Sequence, residues 1–308
     1  MPYIFVVDGT NLKKCLKSRL FGVPNTARAY SQILPVKENQ TLFLYEYGAK
    51  RIHGIYKAKS GVFTEKNPSA GPWTGRKRDE KAGYYPHRIE IEITQYYQTG
   101  IEIAEVERSG LGLDRHSFNG KSCVYITEEQ AEEIINLLKK ANPEGPSEPP
   151  TSVPLQSNKK PVALADLSGE KEEKLQVLVQ QNIKKLGKLG LEMEVLDSYF
   201  NITECMSCKT MCTLDYAGQI DILGMDVSKK FVVLELKAGE AKKAIVRQLE
   251  KYASVVRKTF AQENADVVRA IICGSSSREL VECFRQRRIM AFKHDTDFES
   301  YIDFEPLV

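Results

Sequence analysis

The stretch from Asn142 to Pro161, NPEGPSEPPTSVPLQSNKKP, most constrains how this chain can fold. Its prolines remove backbone donors and fix φ, and it offers almost no apolar side chain to a core, so it reads as an extended, semi-rigid linker. The 308 residues are about twice a typical domain of ~150 residues. The linker therefore predicts an N-terminal domain over 1–141 and a C-terminal domain over 162–308. At 42% hydrophobic and 28% charged residues, both halves have material for a core.

A net charge of +3 is too small to indicate nucleic-acid binding unless the basic residues gather on one face. The opening apolar run, Tyr3–Val7, is short and passes straight into Asp8-Gly9. It predicts no signal segment, and no run approaches the ~18 apolar residues of a membrane span. Seven cysteines in a chain of this size read as free thiols of a reducing compartment, cytoplasmic, or nuclear in a eukaryote.

The N-terminal half predicts an α+β domain, a small barrel or a strongly curved sheet. Tyr3–Val7, Thr41–Tyr47, Arg51–Ala58 and Arg88–Thr94 are its strands, with Gly48 in a hairpin turn. Leu12, Cys15, Leu16 and Leu20 share one face of a helix over 10–20. Thr127 and Gln130 form a capping box for a helix over 128–140.

In the C-terminal half the order is helix (169–186), strand (218–225), tight turn, strand (229–237), helix (241–260), strand (267–273) and helix to about 287. That order predicts an α/β sandwich with a mixed sheet. Within it, Glu235 and Lys237 are two apart in a very apolar strand and so share a face. Charges at the end of such a strand are costly unless something uses them. Asp221, on the preceding strand, can face Glu235 across the hairpin. Two converging carboxylates form a hard oxygen site suited to Mg²⁺ or Mn²⁺, to which the Leu236 carbonyl can contribute. Lys237 beside it can orient water or offset developing charge. Gln248 and Tyr252 are four apart and share a helix face.

Gly218-Gln219-Ile220-Asp221, then Glu235-Leu236-Lys237, then Gln248-x-x-x-Tyr252 resembles the RecB-like branch of PD-(D/E)xK nucleases, with the NucS/EndoMS-type domain as the nearest likeness, over most of 170–275. The resemblance implies a restriction-endonuclease-like sheet flanked by helices. It implies that Asp221 and Glu235 hold a metal, that Lys237 activates water, and that Gln248 and Tyr252 organise the site. An upstream helical glutamate completes the set: Glu173, in the register Glu-x-Leu-Gln, with Glu172 as the alternative. Lys242, Lys243 and Arg247, at the start of the Gln248 helix, are candidate phosphate ligands. A homodimer would let one active site per copy cut both strands.

Residues 3–95 resemble a DCD domain, a relative of the EVE, ASCH and YTH domains in the PUA-like group. The likeness rests on Leu20-Phe21-Gly22, Leu42–Tyr45, His53–Ala58 and Ala70–Trp73. It implies a curved β-barrel with a pocket for a modified base, edged by Asp8 and Asn11, with Tyr45 and Trp73 offering faces for stacking. Together the two halves predict a metal-dependent DNA endonuclease directed to modified DNA, as in restriction or defence. A NucS-like structure- or mismatch-specific repair nuclease and a non-catalytic binding module are the alternatives. Cys205, Cys208 and Cys212 are spaced to bind zinc or a cluster if a fourth ligand joins them. The basic run Arg76–Lys81 reads as a solvated loop or a phosphate contact.

Overall fold

The computed structural model describes residues 1–66, 73, 85–110, 112–153, 159–160, 162–205, 214–260 and 266–308, with the side chains of 203–205 and 214–217 excepted. The chain divides into two compact units, Met1–Val162 and Ala163–Val308. Arg76–Lys81, Cys208 and Cys212, and the side chain of Cys205, lie outside the described residues. No helix among the described residues is long and apolar enough to cross a membrane.

The first unit runs β1 (Tyr3–Val7), α1 (Gly9–Ser18), β2 (Leu20–Val23), α2 (Ala27–Ile33), β3 (Thr41–Glu46), β4 (Arg51–Ala58) and β5 (Phe63–Glu65). It continues with β6 (His87–Gln95), β7 (Ile101–Glu102), α3 (Ile103–Arg108), β8 (Cys123–Tyr125), α4 (Glu128–Ala141) and β9 (Lys159–Lys160). Its sheet is mixed, in the order β8-β1-β3-β4-β6-β5-β9, with β2 on β6 and β7 on β4. Only β1 and β3 run parallel among the described pairs, and no described pair closes the sheet into a barrel.

Asp8 caps α1 by accepting from Asn11 N at 2.8 Å. Arg19, at φ 57°, ends that helix, so Leu20 opens a strand where its helical spacing places it on α1. Thr127 and Gln130 make the reciprocal capping box at α4. Ile134 and Leu138 of that helix enter a core with Ile4, Phe43, Ile52 and Tyr97.

The Pro-rich stretch makes its described hydrogen bonds to this unit. Ser147 N donates to Tyr96 O (2.8 Å), Val153 N to Lys17 O (2.9 Å) and Arg19 Nη2 to Pro150 O (2.9 Å). β9 then pairs with β5. Poor in side chains for a core, the segment still has amides and carbonyls to satisfy, and the strand edges and turns of the unit offer partners.

The second unit runs α5 (Lys171–Gln181), α6 (Ile183–Gly187), β10 (Met193–Cys205), β11 (Leu214–Asp226), β12 (Phe231–Glu240), α7 (Ala244–Phe260), β13 (Val268–Ser275), α8 (Arg278–Gln286), β14 (Met290–Thr296) and β15 (Ile302–Pro306). Strands β10 to β15 form one sheet in sequence order. The centre, β12-β13-β14, is parallel, and the flanks are antiparallel. Parallel neighbours need crossovers, supplied by α7 and α8. Phe231 to Leu236 are all buried, as a central strand covered on both faces requires. On α7, Ile245, Val246, Leu249, Tyr252, Ala253 and Val256 are buried, and the helix packs on β12 and β13. α5 packs on β12.

Candidate active site

The β11–β12 ladder pairs Met225 with Phe231 and continues to Ile222 with Leu234, where it stops. Past that point the two strands fork. Asp221 is the first β11 residue beyond the ladder; Glu235, Leu236 and Lys237 follow on β12. The fork deprives the Leu236 amide of a strand partner, and the Asp221 side chain supplies one: Leu236 N donates to Asp221 Oδ2 at 2.8 Å. From α5, the Gln176 amide donates to the Asp221 carbonyl.

Glu235 is 1% exposed. Gln248 Nε2 donates to Glu235 Oε2 at 2.9 Å and lies 3.2 Å from the Tyr252 hydroxyl, so the two α7 residues act on this carboxyl as a unit. Glu235 Oε1 is buried and has no hydrogen-bond partner. Burial pushes the Glu235 carboxyl well above the usual range, and the neighbouring Asp221 adds to it, against the pull of Lys237. Asp221 is raised as well, first by burial, against the Leu236 amide and Lys237. Both carboxyls thus carry negative charge at a cost that a cation would remove.

Gly218 explains why the glycine and tyrosine motifs occur together. Its φ is 146°, and a Cβ there would stand 2.5 Å from the Tyr252 hydroxyl oxygen. The bare backbone lets the ring reach Gln248.

The two α5 glutamates have different surroundings. Glu173 turns back to the start of its own helix, accepting from Glu170 N at 3.3 Å in a capping box. The charge of Glu172 acts on Asp221 and raises its pKa. Glu172 is exposed. Lys242, Lys243 and Arg247 are exposed at the end of α7 that carries Gln248. Among the described residues no cluster of three or more His, Cys, Asp or Glu side chains is placed to hold a metal ion. Two carboxylates with a carbonyl are still a sufficient protein contribution for Mg²⁺, which keeps several of its waters.

Two polar residues at this site escape sequence reading. Gln176 enters it only as a register mark. His294, on β14, is 6% exposed and donates from Nε2 to the Lys237 carbonyl at 3.1 Å. Burial lowers its pKa, against the Lys237 carbonyl, Asp295 and the Ala238 carbonyl, which keeps the ring neutral as a single N–H donor.

In the first unit, Asp8, Asn11 and Trp73 line one cavity of about 430 Å³, together with Tyr47, Tyr85 and Lys121. Trp73 is 5% exposed, and its Nε1 donates to Cys15 Sγ at 3.3 Å. Its ring lies against Gly22, where a Cβ would stand 2.9 Å away. Tyr45 is not part of this lining. It is 1% exposed and stacks on Phe118 at 4.0 Å inside the core, because its alternation places it on the inner face of β3.

Residues 1–137 match the family profile of the Development and cell death domain, and residues 211–296 match that of the endonuclease NucS C-terminal domain. The B2 protein of Daucus carota is 33% identical over 93 residues, 29% of this chain and 41% of that protein. The DCD domain-containing protein NRP-B of Glycine max is 38% identical over 79 residues, 24% of this chain and 22% of its own. The chain thus spans about two fifths or less of these plant relatives. The endonuclease NucS of Thermococcus kodakarensis is 27% identical over 176 residues, 52% of this chain and 68% of that protein. Among solved structures, a repair endonuclease from Pyrococcus abyssi aligns at 17% identity and TM-score 0.31, covering 41% of this chain and 47% of that one. The chain joins an N-terminal Development and cell death (DCD) domain to a C-terminal domain of the endonuclease NucS type.

Proposed function

We propose that the second unit is a metal-dependent nuclease that hydrolyses phosphodiester bonds of DNA, and that the first unit directs it to a modified base. The observation that carries the nuclease reading is the buried, unpartnered Glu235 Oε1 facing Asp221. Two carboxyls held together at the fork of a sheet, one oxygen left open, fit a divalent cation, which would replace the proton that such a pair otherwise shares. Asp221, Glu235 and the Leu236 carbonyl, which leaves the strand on the same edge as the Leu236 amide, would hold Mg²⁺ or Mn²⁺. The ion supplies a Lewis acid that lowers the pKa of water and neutralises charge on phosphoryl oxygens.

The protein's own groups do the rest. Gln248 fixes Glu235 Oε2 and leaves Oε1 directed at the cation site. Lys237, two residues on along the strand, donates from Nζ to the attacking water or to a non-bridging oxygen. Glu172 adds a carboxylate at the open side. Lys242, Lys243 and Arg247 bind flanking phosphates as exposed cations. In the first unit, the Trp73 cavity would hold a flipped base with Asp8 and Asn11 at its edge.

A second reading of the targeting is favoured by the likeness to an endonuclease NucS over 52% of the chain. In it the nuclease selects mismatched or branched DNA, and the first unit serves docking. One experiment decides. Matched, mismatched and base-modified duplexes are incubated with Mg²⁺ or Mn²⁺ and wild-type protein, with Lys237→Ala as control. Emission of Trp73, the single tryptophan of the chain, is followed during binding. Cutting of modified DNA alone, with altered emission, supports the base reader. Cutting of mismatched but unmodified DNA transfers the reading to structure-specific repair. Absence of metal-dependent cutting overturns the nuclease.

A further inference from the structure

We propose that His294 is a positioning residue that holds the catalytic strand in place at Lys237. This proposal rests on the nuclease reading of the second unit. The need for it lies in the β12–β13 ladder. Lys237 pairs with Cys273, but the next pair is Glu240 with Ser275, so β12 has one residue more than β13 in this interval. The resulting bulge covers Ala238 and Gly239, immediately after the lysine. A bulge bends its strand and releases it from its partner. On its other edge β12 has already parted from β11 at Leu234. Lys237 is therefore the last β12 residue paired with β13 before the bulge, and it lies three residues past the end of the β11 ladder.

The bulge is pressed close to its neighbour. A Cβ on Gly274 would lie 3.0 Å from the Ala238 oxygen and 3.3 Å from the Gly239 oxygen. The Lys237 carbonyl instead receives His294 Nε2–H at 3.1 Å. His294 Nδ1 is buried and has no hydrogen-bond partner, as a neutral ring with its proton on Nε2 requires. The ring is itself held edge-on by Phe298, at 5.9 Å and 80°. Lys171, the first residue of α5, has its Nζ 5.4 Å from the Phe298 ring. One residue on, the charge of Glu172 acts on Asp221. Phe298, in the β14–β15 turn, thus contacts both His294 of β14 and Lys171 of α5, and His294 carries the contact on to Lys237.

The test uses atom-specific replacements in the full chain. Glutamine can place an amide N–H where histidine places Nε2–H; asparagine places its amide where histidine places Nδ1. With the duplex that wild-type protein cuts, His294→Gln keeps kcat within about threefold. His294→Asn and His294→Leu lower kcat by roughly ten- to a hundredfold at unchanged KM, the scale of a misplacement of about 1 Å. Equal kcat for the glutamine and asparagine variants overturns the proposal, as does wild-type turnover by His294→Leu. If the leucine variant does not fold, the glutamine–asparagine pair decides alone. If wild-type protein cuts no DNA, the nuclease reading has failed and the clamp is read by amide exchange over 237–241. Faster exchange in His294→Asn than in His294→Gln supports it, and equal exchange overturns it.

Discussion

Replacing Glu235 with glutamine in metal-free protein should stabilise the second unit while abolishing its chemistry. Glu235 is 1% exposed, faces Asp221, and leaves Oε1 without a partner. An amide of the same shape removes one of two like charges and turns a lone acceptor into a donor toward the Asp221 carboxyl. Its oxygen can still accept from Gln248, whose Nε2 lies 2.9 Å from the present Oε2. An unsatisfied buried polar group costs ~1–3 kcal/mol, so the substitution should return a gain of that order. For a domain of this size each kcal/mol is worth ~2–4 °C, which predicts a rise of roughly 2–12 °C in the unfolding of the second unit. Calorimetry in a chelating buffer resolves that transition from the first unit's. Adding Mg²⁺ should then raise the wild-type midpoint and leave Glu235→Gln unmoved, and cleavage should fall by at least about a hundredfold. A chelated midpoint equal to or below wild type would refute the reasoning, since it would mean that the two carboxyls do not oppose each other. Equal stabilisation of both proteins by Mg²⁺ would remove Glu235 from the cation site.

Gly218→Ala should destabilise the second unit by ~1–3 kcal/mol and reduce cleavage more than Tyr252→Phe does. The new methyl meets the Tyr252 ring and a backbone at φ 146°, so unchanged activity would show that the ring need not approach. In the first unit, His87 is buried between Thr64 Oγ1 and Asn25 Oδ1, both at 2.9 Å, and burial lowers its pKa to about 4, helped by Lys160. The unfolded chain takes up this proton first, near pH ~6.5, so stability is lost as pH falls toward the folded value, by roughly 3 kcal/mol at pH ~4. Urea titrations at pH ~7 and ~4.5 check this, and a slope unchanged in His87→Gln would rule His87 out as its source.

The parts of this site that sequence exposes are those that break a pattern. Glu235 and Lys237 stand out because Phe231 to Leu234 predict burial and a charge there needs a reason; Gln248 and Tyr252 stand out by helical spacing. The parts that sequence conceals keep to an ordinary pattern. β10 carries Asp197, Ser198 and Asn201 buried along its length, and these interrupt the apolar alternation by which strands are recognised. Their partners come from distant segments: Gln180 donates to Ser198 Oγ at 2.8 Å and Gln219 to Asn201 Oδ1 at 2.7 Å. His294 is a lone histidine in sequence, and nothing local connects it to a carbonyl 57 residues earlier. Adjacent glutamates are equally hard to separate, because the choice between Glu172 and Glu173 depends on a capping box that uses one of them. Tyr45 shows the converse limit. Alternation shows that a ring points inward, but not whether it meets a cavity or, as here, Phe118.

The site and the fork in the sheet have one cause. Up to Leu234, apolar side chains on both faces make separation of β11 and β12 costly, and the ladder holds. Beyond it, an unbroken ladder would place Asp221 opposite Glu235 as a cross-strand pair of like charges, which is unfavourable. Parting the strands relieves that repulsion and leaves the Leu236 amide to be satisfied, which the Asp221 side chain does at 2.8 Å. The carboxylate is thereby turned into the cleft and held there by a backbone donor. On this account the acidic pair opens the sheet that houses it. Asp221→Asn should then let the strands approach and slow exchange of the Leu236 amide, while Asp221→Ala, which leaves that amide bare, should speed it. Slower exchange in both variants would mean that the fork is set elsewhere, by the bulge at Ala238–Gly239 or by the packing of α5.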